Sequence, residues 1–389
     1  MFILAINAVL STIIPRRSIS SAGHGEDRMN GKERILTARE IREPDRVPLY
    51  IHGINEAPII GIGREITDGL PEPKEFREMN DAEKGKLLDT LFLIHEHFDI
   101  DGFTSFEIGH EREVDERHVA DDWGVVYTRS PHGLPVATGH PVRKPDDLAS
   151  FRPPRPDRAH LLLLDLARER FKGTKALFWL MRGVFVRSWR LMGMENLMVQ
   201  MFDDPDFVHH VARLVTDYSL AQLDMLINAG LDVLVVEDDI ADKHAPLVSP
   251  VKYRQFIMPY NMELVERAHA RGIKAVTHSD GNLWPLLDII LETGYDGLNP
   301  LEPQAGMELK KVKEYCGNRL CLIGNIDCVD LLPNGTPEEV GEAVRRAIAD
   351  AAAGGGYILC DSNSLHPGVD PLNCIAMFHA AVKYGAGRP

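Results

Sequence analysis

From Val47 to the C-terminus, short apolar runs rich in β-branched and aromatic residues alternate with longer segments of helical period. That alternation constrains the fold more than any other feature, because it is the pattern of βα units wound around a parallel sheet. Eight runs qualify as strands: VPLYIHG from Val47, FTSFEIG from Phe103, KALFWLM from Lys175, DVLVVED from Asp232, IKAVTHSD from Ile273, GLNPLE from Gly297, LCLIGNID from Leu320 and YILCDS from Tyr357. Helical segments between them include SPVKYRQFIMPYNMELVERAHARG and TPEEVGEAVRRAIADAAAGG. Ser249 with Pro250, and Thr336 with Pro337, give each an N-cap followed by proline at the first helical position. Eight strand-helix repeats predict an α/β fold, a (β/α)8 TIM barrel, and 389 residues suffice for one. A doubly wound sheet would carry a glycine-rich phosphate loop after its first strand, and neither GxGxxG nor a Walker motif occurs. One segment interrupts the repeat. DDWGVVYTRSPHGLPVATGHPVRK, Asp121–Lys144, alternates and holds turn signals, so it is expected to form an inserted β-hairpin after strand 2, a flap over the barrel mouth.

Composition supports this reading and removes several partners. A hydrophobic share of 44% and a charged share of 26% allow a sizeable core, while a formal net charge of -15 disfavours nucleic acid and anionic membrane surfaces. The five cysteines, Cys316, Cys321, Cys328, Cys360 and Cys374, are odd in number and include no CxxC pair, which argues against a disulfide framework and for a cytoplasmic setting. MFILAINAVLSTIIPRR opens with about fourteen mostly apolar residues, too few to span a bilayer, and its basic pair follows the apolar run instead of preceding it. Residues 1–28 are therefore expected to be a disordered or mis-called tail, and residues 29–389 the folded barrel domain.

In such a barrel the chemistry forms at the C-terminal ends of the strands. The polar residues ending the apolar runs are His52 and Asn55, Glu107, Arg182, Glu237 with Asp238 and Asp239, His278 and Asp280, Asn299 and Glu302, Asn325 and Asp327, then Cys360, Asp361, Ser362, Asn363 and His366. Any strand end is polar, so each residue singly also reads as a loop anchor, and it is their concentration that signals a site. In AVTHSDGN, His278 and Asp280 stand at i and i+2 and share a strand face. With Glu237 from the preceding strand and Cys360 from the last they make a metal-ligating set; the metal-free reading has His278 hydrogen-bonded to Asp280 or Glu237. Crowding among Glu237, Asp238 and Asp239 raises carboxyl pKa values and offers a general acid, while alternation turns at least one of the three toward solvent.

The run HSDGNLWPLLDIILETGYDGLNPLEP, followed by LIGNID, GTPEEV, and GGGYIL with HPGVDP, resembles the C-terminal half of the uroporphyrinogen decarboxylase superfamily, which includes cobalamin-dependent methyltransferases. RILTAREIREPDRVPLY and DDWGVVY extend the likeness back toward Met29. The resemblance implies a (β/α)8 barrel with its site at the C-terminal mouth. Decarboxylases of the family carry an arginine-rich stretch, MRQAGRY, after the first strand to grip substrate carboxylates. Here that position reads YIHGINEAPIIG, with only Arg64 nearby and Arg182, Arg187 and Arg190 as a distant reserve. The methyltransferase branch binds zinc through a His-x-Cys pair, a later cysteine and, in some members, an acid, and so activates a thiol acceptor. Carried over, this gives His278, Asp280 in place of the first cysteine, Glu237 as the acid, and Cys360 three residues before Asn363, where the second cysteine would fall.

The resemblance thus implies a corrinoid-linked methyltransferase that moves a methyl group to or from a small thiol or folate. Its site would hold zinc or another divalent metal on His278, Asp280, Glu237 and Cys360, and its corrinoid would be carried by a partner protein. The expected catalytic residues are His278, Asp280, Glu237 and Asp238. His52, Asn55, Glu107, Arg182, Asn325, Asp327, Asn363 and His366 are expected to contact substrate. A decarboxylase acting on a tetrapyrrole and a non-catalytic corrinoid- or porphyrin-binding protein are the alternatives.

Overall fold

The computed structural model describes residues 28–130 and 133–386. Seven of the eight runs form strands of one sheet: β1 (Gly102–Phe106), β6 (Ala176–Arg182), β7 (Val233–Glu237), β8 (Lys274–His278), β9 (Gly297–Asn299), β10 (Cys321–Ile326) and β11 (Tyr357–Asp361). They lie side by side in sequence order, with β7 parallel to β8 and β10 parallel to both β9 and β11. Helices connect successive strands, so the fold is α/β, as the alternation requires.

The eighth run, VPLYIHG, is reduced to a single parallel bridge between Leu49 and Leu359. The reason is local chemistry. Pro48 has no N–H to donate, although its carbonyl accepts from Leu359 N at 2.9 Å, and Leu49 N is taken by the Asp101 carboxylate at 2.8 Å. Asp101 is in turn clamped by Arg34 at 3.0 Å and Arg46 at 2.8 Å.

The chain divides into two compact units. The first comprises residues up to Thr104, Leu166–Phe178 and Asp296 onward. Its core includes an aromatic nest in which Phe103 lies 5.2 Å from Phe92 and 5.3 Å from Phe171 between ring centroids, with the His95 ring 4.9 Å from Phe103. His95 is buried and its Nδ1–H donates to the Leu91 carbonyl at 2.8 Å. Burial pushes its pKa down to about 3. The helix Pro337–Ala351 has the N-terminus expected of it, with Thr336 and Glu339 forming a reciprocal capping box.

The second unit comprises Ser105–Asp165 and Trp179–Tyr295. The segment SPVKYRQFIMPYNMELVERAHARG, expected as one helix, is two, Pro250–Phe256 and Met258–Ala270, broken at Ile257. Pro259 supplies no N–H to continue the first helix, but it suits the opening turn of the second. Within this unit β2 (Arg112–Glu113), β3 (His118–Ala120), β4 (Val126–Ser130) and β5 (Gly133–Gly139) form an antiparallel sheet in that order. Asp121–Lys144, expected as an inserted hairpin, supplies only its last two strands, and residues 131–132 between them lie outside the described residues. Asp121 Oδ1 organises the β3–β4 turn by accepting from Trp123 N and Val125 N, each at 2.9 Å.

Candidate active site

The three acids at the end of β7 go three ways: Asp238 is buried, while Glu237 and Asp239 keep partial access to solvent and neither is fully exposed. Each meets polar groups from a neighbouring element. Glu237 forms an ion pair with Arg182 at the end of β6. Asp238 is buried and faces the start of the helix Val184–Met192, where its Oδ1 accepts from Val186 N at 2.8 Å; Asn261 Nδ2 reaches its Oδ2 at 3.2 Å. It therefore caps a helix that its own strand does not precede, satisfying N–H groups that a helix start leaves open. Burial raises its carboxyl to about 7, although the backbone and amide donors pull the other way. Gly183, the one residue between β6 and that helix, makes the approach possible, since a Cβ there would lie 2.3 Å from Asp238 Cγ.

Asp239 completes the arrangement. Asp239, His278 and Asp280 each bring a ligand atom to within 4.8 Å of the other two, and His278 Nε2 lies 3.8 Å from Asp280 Oδ1. Asp239 Oδ1 is buried with no hydrogen-bond partner among the described residues. An imidazole and two carboxylates, one with an orphaned buried oxygen, fit a divalent cation. The acid beside His278 and Asp280 is thus Asp239, whereas Glu237 is spent on Arg182. Gly281 follows with φ of +88°, and a Cβ there would lie 2.5 Å from the Asp242 carbonyl, so the chain can turn after Asp280 only on glycine.

Glu107, one residue beyond β1, is partly buried in a network of the same unit. The Tyr218 hydroxyl donates to its Oε1, His160 Nδ1 lies 3.3 Å from the same oxygen, and Arg187 Nη2 lies 3.7 Å from Oε2. Burial alone would raise this carboxyl, but His160, Arg187 and Tyr218 together hold it below the ordinary glutamate value. Arg187 also stacks on Trp123, 4.7 Å from the ring centroid. Two of the three arginines counted as a reserve for substrate carboxylates, Arg182 and Arg187, are thus already paired.

The remaining candidates belong to the first unit. The Cys360 thiol donates to Asp361 Oδ1 at 3.3 Å, and burial raises its pKa well above the ordinary thiol value. Asp361 is raised to about 7, also by burial, and the His52 N–H lies 3.5 Å from its Oδ1. Asn55 sits at the N-cap of the helix Glu56–Gly63, but makes no side-chain cap there. Asn325 Nδ2 donates to the Leu301 carbonyl at 3.0 Å, and Asp327 Oδ1 accepts from Val329 N at 2.7 Å. His366 Nε2–H donates to the Cys328 carbonyl at 2.8 Å, and its Nδ1 accepts from Gly368 N at 3.0 Å. Asn325, Asp327 and His366 therefore anchor loops, while Asn363 Oδ1 accepts from Ser364 Oγ at 3.1 Å. Tyr218 and His160 were not anticipated. Tyr218 lies inside a long helix, and His160 follows a proline-rich linker without periodicity, so neither ends an apolar run.

Comparison with known proteins identifies the lineage. The pattern of the uroporphyrinogen decarboxylase (URO-D) family matches residues 115–384, well over half of the chain. The chain belongs to the uroporphyrinogen decarboxylase family. A family relative, the methylated-thiol–coenzyme M methyltransferase of Methanosarcina mazei, is 26% identical over 185 residues, 48% of either chain. A uroporphyrinogen decarboxylase of Alkalilimnicola ehrlichii is 24% identical over 376 residues, covering 90% of this chain and 93% of that one. The chain spans about half the length of several curated relatives it matches, decarboxylases and methyltransferases alike. Among solved structures, a methyltransferase from Methanosarcina mazei superimposes with a TM-score of 0.70 at 20% identity, over 92% of this chain and 99% of that one, and shares the fold. Members of the uroporphyrinogen decarboxylase family among these relatives are enzymes of two kinds. No helix among the described residues is long and apolar enough to cross a membrane.

Proposed function

We propose that this family member is a methyltransferase that moves a methyl group between a corrinoid, carried by a partner protein, and a small acceptor such as a thiol. The observation that carries this reading is the convergence of Asp239, His278 and Asp280, with a buried carboxylate oxygen left for a cation. A divalent metal held by these three residues would supply Lewis acidity that lowers the pKa of an acceptor thiol. The residues around the site do the rest. Glu237 neutralises Arg182, so that no bare cation competes at the end of β6. Asp238 fixes the helix start beside the site without spending charge on substrate. Two relatives support the same reading, since both are methylcobamide:coenzyme M methyltransferases from Methanosarcina.

The test is loss of methylcobalamin absorbance with a panel of small thiols, coenzyme M among them, using protein purified without chelator and assayed for bound metal. Methyl transfer by the wild type, lost in His278→Ala and in Asp280→Asn together with the metal, is expected. Zinc-loaded protein that demethylates nothing would sink the proposal. A second reading, decarboxylation of uroporphyrinogen or another tetrapyrrole, is favoured by the decarboxylase that matches over 90% of this chain. Against it, the paired state of Arg182 and Arg187 leaves few cations for a substrate with many carboxylates. Incubation with uroporphyrinogen and analysis of the products decides between the two.

A further inference from the structure

Away from the Asp239–His278–Asp280 cluster, the loop after β1 and the turn Arg158–Leu161 bring a different set of ligating side chains together. His110 Nδ1 lies 3.3 Å from His160 Nε2 and 3.5 Å from Asp122 Oδ1, and His160 Nε2 lies 3.7 Å from Asp122 Oδ2. The backbone holds the set in place: Ile108 N donates to the His160 carbonyl at 3.2 Å, and His110 N donates to Asp122 Oδ2 at 2.8 Å.

The second nitrogen of His160 decides what the first can do. Its Nδ1 faces Glu107 Oε1 at 3.3 Å, and an ionised carboxylate only accepts, so Nδ1 carries the proton. In the neutral ring Nε2 is then a lone pair aimed at His110 and Asp122. A carboxylate behind a histidine is the usual device that orients a metal-binding imidazole, and here the carboxylate is itself fixed by Tyr218 and Arg187. His110 Nδ1 and His160 Nε2, 3.3 Å apart, can share a proton with each other or with Asp122, and with that proton displaced the three present their lone pairs to one shared cation. Nitrogen and oxygen ligands about 2.0–2.2 Å from a tetrahedral zinc ion stand about 3.3–3.6 Å apart, close to the separations found. His160 is nearly closed off, with 5% of its side chain exposed, while Asp122 at 27% and His110 at 49% leave the remaining side of the cluster open to solvent.

We propose that His110, Asp122 and His160 form a second divalent-cation site, of the mixed nitrogen and oxygen kind that takes zinc or a similar transition metal, with Glu107 as its positioning residue. The site is independent of the methyltransferase reading, and its test is built to keep the two apart. Full-length His278→Ala protein, in which the other cluster lacks its imidazole, is stripped of metal and titrated with Zn2+ against a chromophoric chelator. One equivalent of zinc is expected to bind. His110→Ala and Asp122→Asn, placed in that background at positions open to solvent, should each weaken it by about 100-fold, and Glu107→Gln by about 10- to 100-fold, with circular dichroism unchanged. Failure of the His278→Ala protein to take up zinc would overturn the proposal, as would uptake whose affinity neither His110→Ala nor Asp122→Asn alters.

Discussion

Replacing His95 by leucine should make the protein markedly more resistant to acid while leaving its stability near neutrality almost unchanged. His95 lies in the aromatic nest of the first unit, and burial, reinforced by the positive charge of Lys175, lowers its pKa from 6.5 to about 3. The sign follows from linkage. A group whose folded pKa is depressed favours the folded state above its unfolded pKa, and that advantage drains away as pH falls toward the folded value. Each pH unit below 6.5 therefore removes about 1.4 kcal/mol, or about 2 kcal/mol by about pH 5. The leucine variant gives up the bond from Nδ1 to the Leu91 carbonyl, worth about 1 kcal/mol, and gains apolar burial of similar size. Urea unfolding of both proteins near pH 7 and near pH 5 gives a double difference in which every other titrating group cancels. The variant should gain about 2 kcal/mol relative to the wild type on acidification. An equal gap at both pH values would refute the claim that His95 is held neutral by its surroundings.

Other outcomes follow from close contacts and ligand chemistry. Gly183→Ala should lower stability by about 1–3 kcal/mol, read as a drop in Tm, because its Cβ would meet Asp238 Cγ at 2.3 Å and that carboxyl cannot retreat without leaving Val186 N. Asp280→Cys should tighten zinc binding by at least about tenfold in competition with a chelator, since thiolate is the softer ligand, and unchanged affinity would remove Asp280 from the metal set.

Much of the fold was legible because seven buried strands announce themselves as β-branched and aromatic runs. The eighth was not, because what replaces its ladder bond is the Asp101 carboxylate, from a residue far along the chain. The break at Ile257 did carry a signal, Pro259, which a continuous helical period concealed. At the site, the spacing of His278 and Asp280 could be read from strand geometry alone. The choice between Glu237 and Asp239 could not, since it depends on where Arg182 arrives from the adjacent strand. The loop anchors divide in the same manner. Asp327 binds N–H groups two and three residues ahead, a local habit of aspartate, whereas Asn325 reaches carbonyls at Leu301 and Met307 that only the folded chain supplies.

The joint between β6 and the helix Val184–Met192 has a bearing on how the family diversifies. Enzymes of this architecture change substrate by growing and shrinking the loops that follow their strands. Here the connection is Gly183 alone, and the first amides of the helix are already committed to Asp238. An inserted residue would carry Val186 N away and strand a buried carboxyl, so this joint is closed to insertion. Evolutionary change in specificity must instead enter through longer connections, such as the one from Glu237 to Pro250, which also carries Asp239.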